Sequence, residues 1–312
     1  MPIFSDEMIP ERLEMLDSYL AESESRVSGI REDCEKKIIW YGDKRHQRDL
    51  AIVYIHGFSA SRMETWPLCD HLAATLGANL FYTRLTGHGR DGYAMGTATV
   101  RDWQNDGREA VAIGRRLGRK IILVGTSTGG TLATWLAAQP SVTPTIHRLI
   151  LLSPNFFPKN PVAAAALWPP ALRLFESLFG GWRNFSVVNA RHARFWTVRY
   201  PVRAIATMMQ LVRLSWRLDL SNPTMPVLMM VNPWDRVINV TLAVMRYLTF
   251  PSAHKRLVLF RGNKDLGRHV LAGDILSPST TAKALAFIHD FLNVPHGRRN
   301  RNGAQGSAVV SR

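Results

Sequence analysis

Short, almost continuous apolar runs punctuate the chain: Ala51–Ile55, Leu80–Leu85, Ile121–Val124, Leu149–Leu152, Val227–Val231 and Leu257–Phe260. They are often β-branched and do not alternate polar with apolar residues. Strands buried on both faces of a parallel sheet read this way. Lys37–Tyr41 reads as an opening strand. Between the runs lie stretches of helical period, Trp66–Leu76, Val100–Arg116 and Thr241–Leu248, and Thr280–Leu292 reads as a closing helix. Alternating β and α segments predict an α/β fold, a three-layer sandwich with right-handed crossovers. Asp6–Glu24 reads as an exposed N-terminal helix with Met8, Leu13, Leu16 and Leu20 on it.

One interval breaks the rhythm. Pro154 to Pro223 carries no convincing strand and is rich in Trp, Phe, Leu, Pro and Arg. It reads as a helical cap inserted between two sheet strands. The chain therefore divides into an N-terminal helical extension (1–35), a core (36–154 and 224–294), a cap (155–223) and a Gly-, Asn- and Arg-rich basic tail (295–312) expected to be disordered. No internal repeat is visible.

At 312 residues, 46% hydrophobic and 20% charged, the composition is that of a globular protein able to bury a full core. Two cysteines, Cys34 and Cys69, build no disulfide framework, so a reduced compartment is expected. The first twenty residues lack an apolar signal-peptide core, and no apolar run reaches the roughly 18 residues of a bilayer span. A cytoplasmic location follows as an expectation, with peripheral membrane contact as a variant of it. The net charge of +15 favours anions in general, yet no nucleic-acid module is recognisable, so no nucleic-acid partner is expected.

The chemistry is carried by the segment Gly125-Thr126-Ser127-Thr128-Gly129-Gly130, which follows one apolar run and precedes an Ala-rich helical pattern. A strand that turns sharply into a helix needs small residues at both sides of the turn. Such a turn holds its central side chain in a strained pose with Oγ projecting above the sheet. Serine needs an adjacent base, imidazole suits the role near neutral pH, and the imidazole needs a carboxylate to orient it. Asp235 follows the run Val227–Val231, and His269 follows Leu257–Phe260. Ser127, Asp235 and His269 thus occur in the nucleophile–acid–histidine order of a strand–turn–helix serine hydrolase. Asp265 is the alternative acid; it shares a loop with His269 but lacks a strand end of its own, so Asp235 is preferred.

An acyl-transfer site must also hold an oxyanion. The backbone N–H groups of Thr128, at a helix N-terminus, and of Phe58, after His56-Gly57, are the candidate donors. His56 is expected to shape the oxyanion loop, and His88 to brace a turn. No grouping has metal-ligand spacing, so no metal is expected.

At this point the residues resemble the α/β-hydrolase superfamily, most closely its monoacylglycerol-lipase and carboxylesterase branch. The resemblance rests on His56-Gly57-Phe58-Ser59-Ala60-Ser61, on Leu85-Thr86-Gly87-His88-Gly89 with Asp102-Trp103 and Asp106, and on the Gly125–Gly130 turn. Asp235-Arg236-Val237-Ile238 and His269-Val270-Leu271 resemble the loops that hold the acid and the histidine. It spans roughly Ile52 to Leu292. It implies an eight-stranded, mostly parallel sheet, a cap between the sixth and seventh strands, and cofactor-independent ester hydrolysis through an acyl-enzyme. Thr126 and Thr128 stand where His and Met are more usual, and the acid loop reads Asn-Pro-Trp-Asp.

In the cap, Leu172, Phe175 and Phe179 share one helical face, expected either to close onto the core or to roof an acyl pocket. Beside the cap's aromatic residues stand Arg173, Arg183, Arg191, Arg194, Arg199, Arg203, Arg213 and Arg217, a combination suited to anionic lipid headgroups. The expected substrate is a small-molecule or lipid ester, acylglycerol-like or of medium acyl chain. C–C or amide hydrolysis or acyl transfer by the same residues, or a non-catalytic binding module, are the alternatives, because fold alone does not decide chemistry.

Overall fold

The structure, a computed structural model, describes residues 4–43, 45–178, 181–293 and 308–310. Its centre is one mostly parallel sheet. In chain order the strands are β1 (Lys37–Ile39), β2 (Arg48–Ile55), β3 (Asn79–Tyr82), β4 (Gly118–Thr126), β5 (Ile146–Leu152), then β6 (Trp182–Asn184) and β7 (Arg199–Pro201) outside the sheet, β8 (Val227–Val231), β9 (Lys255–Leu259) and β10 (Ala308–Val310). The spatial order is β1-β3-β2-β4-β5-β8-β9-β10, with only β1 antiparallel to its neighbour. Seven of these strands come from Lys37 to Leu259; β10 adds to the outer edge of β9. The basic tail expected to be disordered otherwise lies outside the described residues.

Helices cover both faces. They are α1 (Leu16–Ser25), α2 (Leu68–Leu76), α3 (Gly92–Thr97), α4 (Val100–Leu117), α5 (Thr128–Ala137), α6 (Pro169–Leu178), α7 (Ala190–Phe195), α8 (Arg203–Arg217), α9 (Val240–Leu248) and α10 (Thr281–Leu292). Successive residues of each strand feed opposite layers. In β2, Ala51, Val53 and Ile55 pack with Trp103 of α4 and Leu132 and Leu136 of α5. Ile52 and Tyr54 pack on the other face with Leu68 and Leu72 of α2 and Ile288 of α10. This two-sided burial is why the strands read as unbroken apolar runs. Helix α4 begins at a capping box, in which Thr99 Oγ1 accepts the Asp102 N–H and the Asp102 carboxylate accepts the Thr99 N–H, satisfying two terminal donors.

Three expectations need correction. The N-terminal helix is shorter than Asp6–Glu24 and is not a free-standing exposed element. Two 3₁₀ turns, Asp6–Met8 and Leu13–Met15, precede α1, and Pro10 separates them; proline cannot donate in a helix interior. Leu16 and Leu20 are buried in the main core, and Glu24 makes a two-pronged ion pair with Arg84 at 2.8 Å. The cap is not purely helical, because β6 and β7 form an antiparallel pair within it. It also follows the fifth strand in chain order and precedes β8, the sixth of the main sheet. Among the described residues no helix is long and apolar enough to cross a membrane.

Candidate active site

The sheet topology decides where a site forms. After β2 the chain moves outward to β3, then returns to β4 on the other side of β2. The loops leaving β2 and β4 therefore diverge and open a crevice at the carboxyl ends of the strands. The first of these loops carries His56 to Ser61, and the second carries Ser127.

Ser127 sits at φ 52°, ψ −118°, a strained conformation for a residue with a side chain. Its surroundings enforce it. The Ser127 N–H donates to the Leu152 carbonyl at 2.9 Å, and the Ser127 carbonyl accepts from the Asn155 N–H at 3.0 Å. The glycines leave no alternative. A β-carbon at Gly125 would lie 2.5 Å from the Gly129 carbonyl oxygen, and one at Gly129 would collide with the Ile55 carbonyl oxygen. The two flanking chains approach that closely because α5 starts directly against β2.

His269 and Asp235 meet as expected. His269 Nδ1 donates to Asp235 Oδ2 at 2.7 Å. Asp235 Oδ1 accepts the Val237 and Ile238 N–H groups at 2.7 and 3.0 Å, so both carboxylate oxygens are engaged and the side chain is fixed. Asp265 does not reach the ring. It accepts the His269 backbone N–H at 2.9 Å and the Asn263 side-chain amide at 2.7 Å, and so shapes the loop. Burial is the largest single effect and opposes charging His269, but the charge and hydrogen bond of Asp235, together with Glu64 and Asp265, outweigh it. The ring is held above the ordinary imidazole range. His269 Nε2 is buried and makes no hydrogen bond. Ser127 and His269 line one cavity of about 580 Å³ without a hydrogen bond between them.

The loop after β2 is held by its own histidine. His56 Nδ1–H donates to the Gly57 carbonyl at 2.9 Å, and its Nε2 accepts the Leu85 N–H at 3.1 Å. Burial, only partly offset by the Gly57 carbonyl, lowers its pKa to about 4, so the ring is neutral and structural. His88 lies against His56 and Trp103, with its Nδ1 turned to the Thr86 carbonyl. Phe58 borders the cavity and packs edge-on against Tyr200 of the cap. Thr128, whose Oγ1 is buried without a partner, opens α5 next to Ser127.

Sequence reasoning missed Glu64. It is 3% exposed, lines the same cavity, and accepts the Gly57 N–H at 2.7 Å and the Tyr54 hydroxyl at 3.0 Å. A lone glutamate eight residues after His56, in a stretch with no periodic pattern, gives no local sign of burial. The cap face expected from Leu172, Phe175 and Phe179 is only partly described. The side chains of Phe175 and Phe179 lie outside the described residues, and Leu172 does not line the cavity. Its cap wall comes instead from the β6–β7 pair, α7 and α8, through Phe185, Trp196, Tyr200, Ile205 and Met208.

Comparison with known proteins agrees with this architecture. Residues 52–289 match the model of the Alpha/beta hydrolase family. No curated protein sequence matches the chain. Among solved structures, one described for LipS and LipT, two metagenome-derived lipolytic enzymes, is 21% identical with a TM-score of 0.67, covering 84% of this chain and 99% of its own. A soluble variant of monoglyceride lipase from Saccharomyces cerevisiae is 17% identical with a TM-score of 0.63, over 83% and 91%. Paleococcus ferrophilus monoacylglycerol lipase is 14% identical with a TM-score of 0.60, over 82% and 97%. At these identities the likeness is one of fold. With the family model covering most of its length, the chain belongs to the alpha/beta hydrolase family.

Proposed function

We propose that the protein is a serine hydrolase that cleaves carboxylic esters through an acyl-enzyme. The observation that carries this reading is the 2.7 Å contact of His269 Nδ1 with Asp235, opening onto the cavity that Ser127 also lines. Ser127 Oγ attacks the ester carbonyl and His269 Nε2 takes its proton. Asp235 holds the ring with Nδ1 protonated, which leaves Nε2 as the basic nitrogen. Catalytic hydrogen bonds often close only when substrate is bound, and the bare Nε2 of His269 is free to form that contact. The Phe58 and Thr128 N–H groups hold the tetrahedral oxyanion. Collapse releases the alcohol, which receives the proton from His269. Water then repeats the cycle on the acyl-enzyme and regenerates Ser127.

The cavity's cap wall is mostly aromatic and aliphatic, with Arg183, Ser186 and His192 as its polar members, which suits an acyl chain of medium length or an acylglycerol. The exposed Trp168, Leu174 and Val162, beside the arginines of the cap, make this face our candidate contact with anionic lipid. Equal partitioning onto neutral and anionic vesicles would remove that contact. The activity is tested by a fluorophosphonate probe, which labels the wild type and not Ser127→Ala, and by p-nitrophenyl esters of rising chain length. Labelling without turnover at any length would favour amide or C–C cleavage. No labelling would end the reading.

A further inference from the structure

Glu64 occupies a place that the proposed chemistry has not yet used. It lies in a 3₁₀ turn, Arg62–Glu64, capped by Ser61. Its Oε2 accepts from Gly57 N and from the Tyr54 hydroxyl, and that hydroxyl also lies 3.2 Å from Thr126 Oγ1 of the nucleophile turn. Its other oxygen, Oε1, faces the glycine of the oxyanion loop. A β-carbon at Gly57 would lie 2.7 Å from Glu64 Oε1 and 3.2 Å from Ser127 Cβ. The carboxylate and the nucleophile thus flank the same glycine on a wall of the same cavity.

Two consequences follow from this placement. The Gly57 N–H is consumed by Glu64, so the His56–Gly57 peptide is held in one orientation, while His56 Nδ1 holds the carbonyl of the next peptide, whose N–H, that of Phe58, is left for substrate. A buried carboxylate here also adds negative charge to the wall of the cavity that His269 lines. We propose that Glu64 is a positioning residue of the hydrolytic site, fixing the loop that presents the Phe58 N–H and stabilising the imidazolium of His269 together with Asp235. The inference rests on the serine-hydrolase reading above. The groups that face His269 are Asp235, Glu64 and Asp265, and those that face Glu64 are Tyr54 and His269. Burial raises the Glu64 carboxyl above its ordinary range, while the Gly57 N–H, the His269 charge and the Tyr54 hydroxyl restrain that rise.

The two roles separate by substitution. Glu64→Gln keeps an oxygen for Gly57 N and Tyr54 but removes the charge, whereas Glu64→Ala removes both. The His269 imidazole is titrated by NMR in the whole protein, and kcat and KM are measured against pH on a p-nitrophenyl ester. In Glu64→Gln the His269 midpoint and the acid limb of kcat/KM both move to lower pH, and plateau kcat falls because the imidazolium loses a neighbouring charge, by less than in Glu64→Ala. In Glu64→Ala the same shift is joined by a fall in kcat of about 10²-fold at similar KM, the scale of a lost oxyanion donor. An unchanged His269 midpoint in Glu64→Gln overturns the electrostatic role. A wild-type kcat in Glu64→Ala overturns the loop role. The NMR titration needs no turnover, so a protein that hydrolyses no ester, or whose Ser127→Ala variant keeps its activity, marks failure of the underlying reading and not of this one.

Discussion

Asp235 and Asp265 both touch His269, but at different atoms: Asp235 takes the ring N–H at 2.7 Å, and Asp265 takes the backbone N–H at 2.9 Å. Only the first contact can select a tautomer. Asp235→Asn should therefore lower kcat by about 10³–10⁴-fold, because an amide favours the wrong ring tautomer. Asp265→Asn keeps an acceptor for the loop and should cost less than tenfold. Steady-state kinetics of the two variants on one ester compare them directly, and equal losses would contradict the assignment.

The pH profile has a defined sign. In the proposed reaction His269 must be neutral to act as base, and its environment favours the charged form, because Asp235, Glu64 and Asp265 together outweigh the opposing effect of burial. Activity should therefore fall as pH drops through a midpoint above the ordinary imidazole value of about 6.5. A midpoint at or below that value in kcat/KM would contradict this electrostatic account.

Backbone geometry makes a prediction that concerns shape alone. Gly125→Ala and Gly129→Ala each drive a methyl group into backbone atoms of the nucleophile turn. Each should abolish fluorophosphonate labelling or prevent folding. A soluble variant that labels at the wild-type rate would mean that the turn has a second arrangement.

Stability should depend on the N-terminal segment. Glu24 and Arg84 are about nine-tenths buried or more as side chains, and they pair through two hydrogen bonds. Glu24→Ala leaves the guanidinium buried without its carboxylate, which should cost about 3–5 kcal/mol in urea unfolding. The double variant Glu24→Ala, Arg84→Met should recover part of that loss. Equal unfolding midpoints for wild type and Glu24→Ala would show that this pair adds nothing.

Much of the molecule was legible one segment at a time. Strand β8 has the bounds read from its apolar run, and α4 and α9 begin or end within a residue of theirs. Burial on both faces leaves a mark that needs no partner to be seen. The nucleophile turn was legible because its glycines are demanded by backbone contacts inside one short segment. Other features left no such mark. The β6–β7 pair is built from strands of three residues, too short to show alternation. The burial of α1 was hidden because Leu16 and Leu20 become core residues only against parts of the main core distant in the chain.

By itself, then, the order of residues determined the layered α/β architecture, the strained serine and the succession of serine, acid and histidine, since each depends on neighbours a few positions apart. Only the tertiary structure decided which aspartate meets the His269 ring, that Glu64 and Ser127 flank Gly57, and which part of the cap walls the cavity. Those are contacts between loops far apart in the chain, and they exist only where the sheet order brings the carboxyl ends of β2, β4, β8 and β9 to one rim.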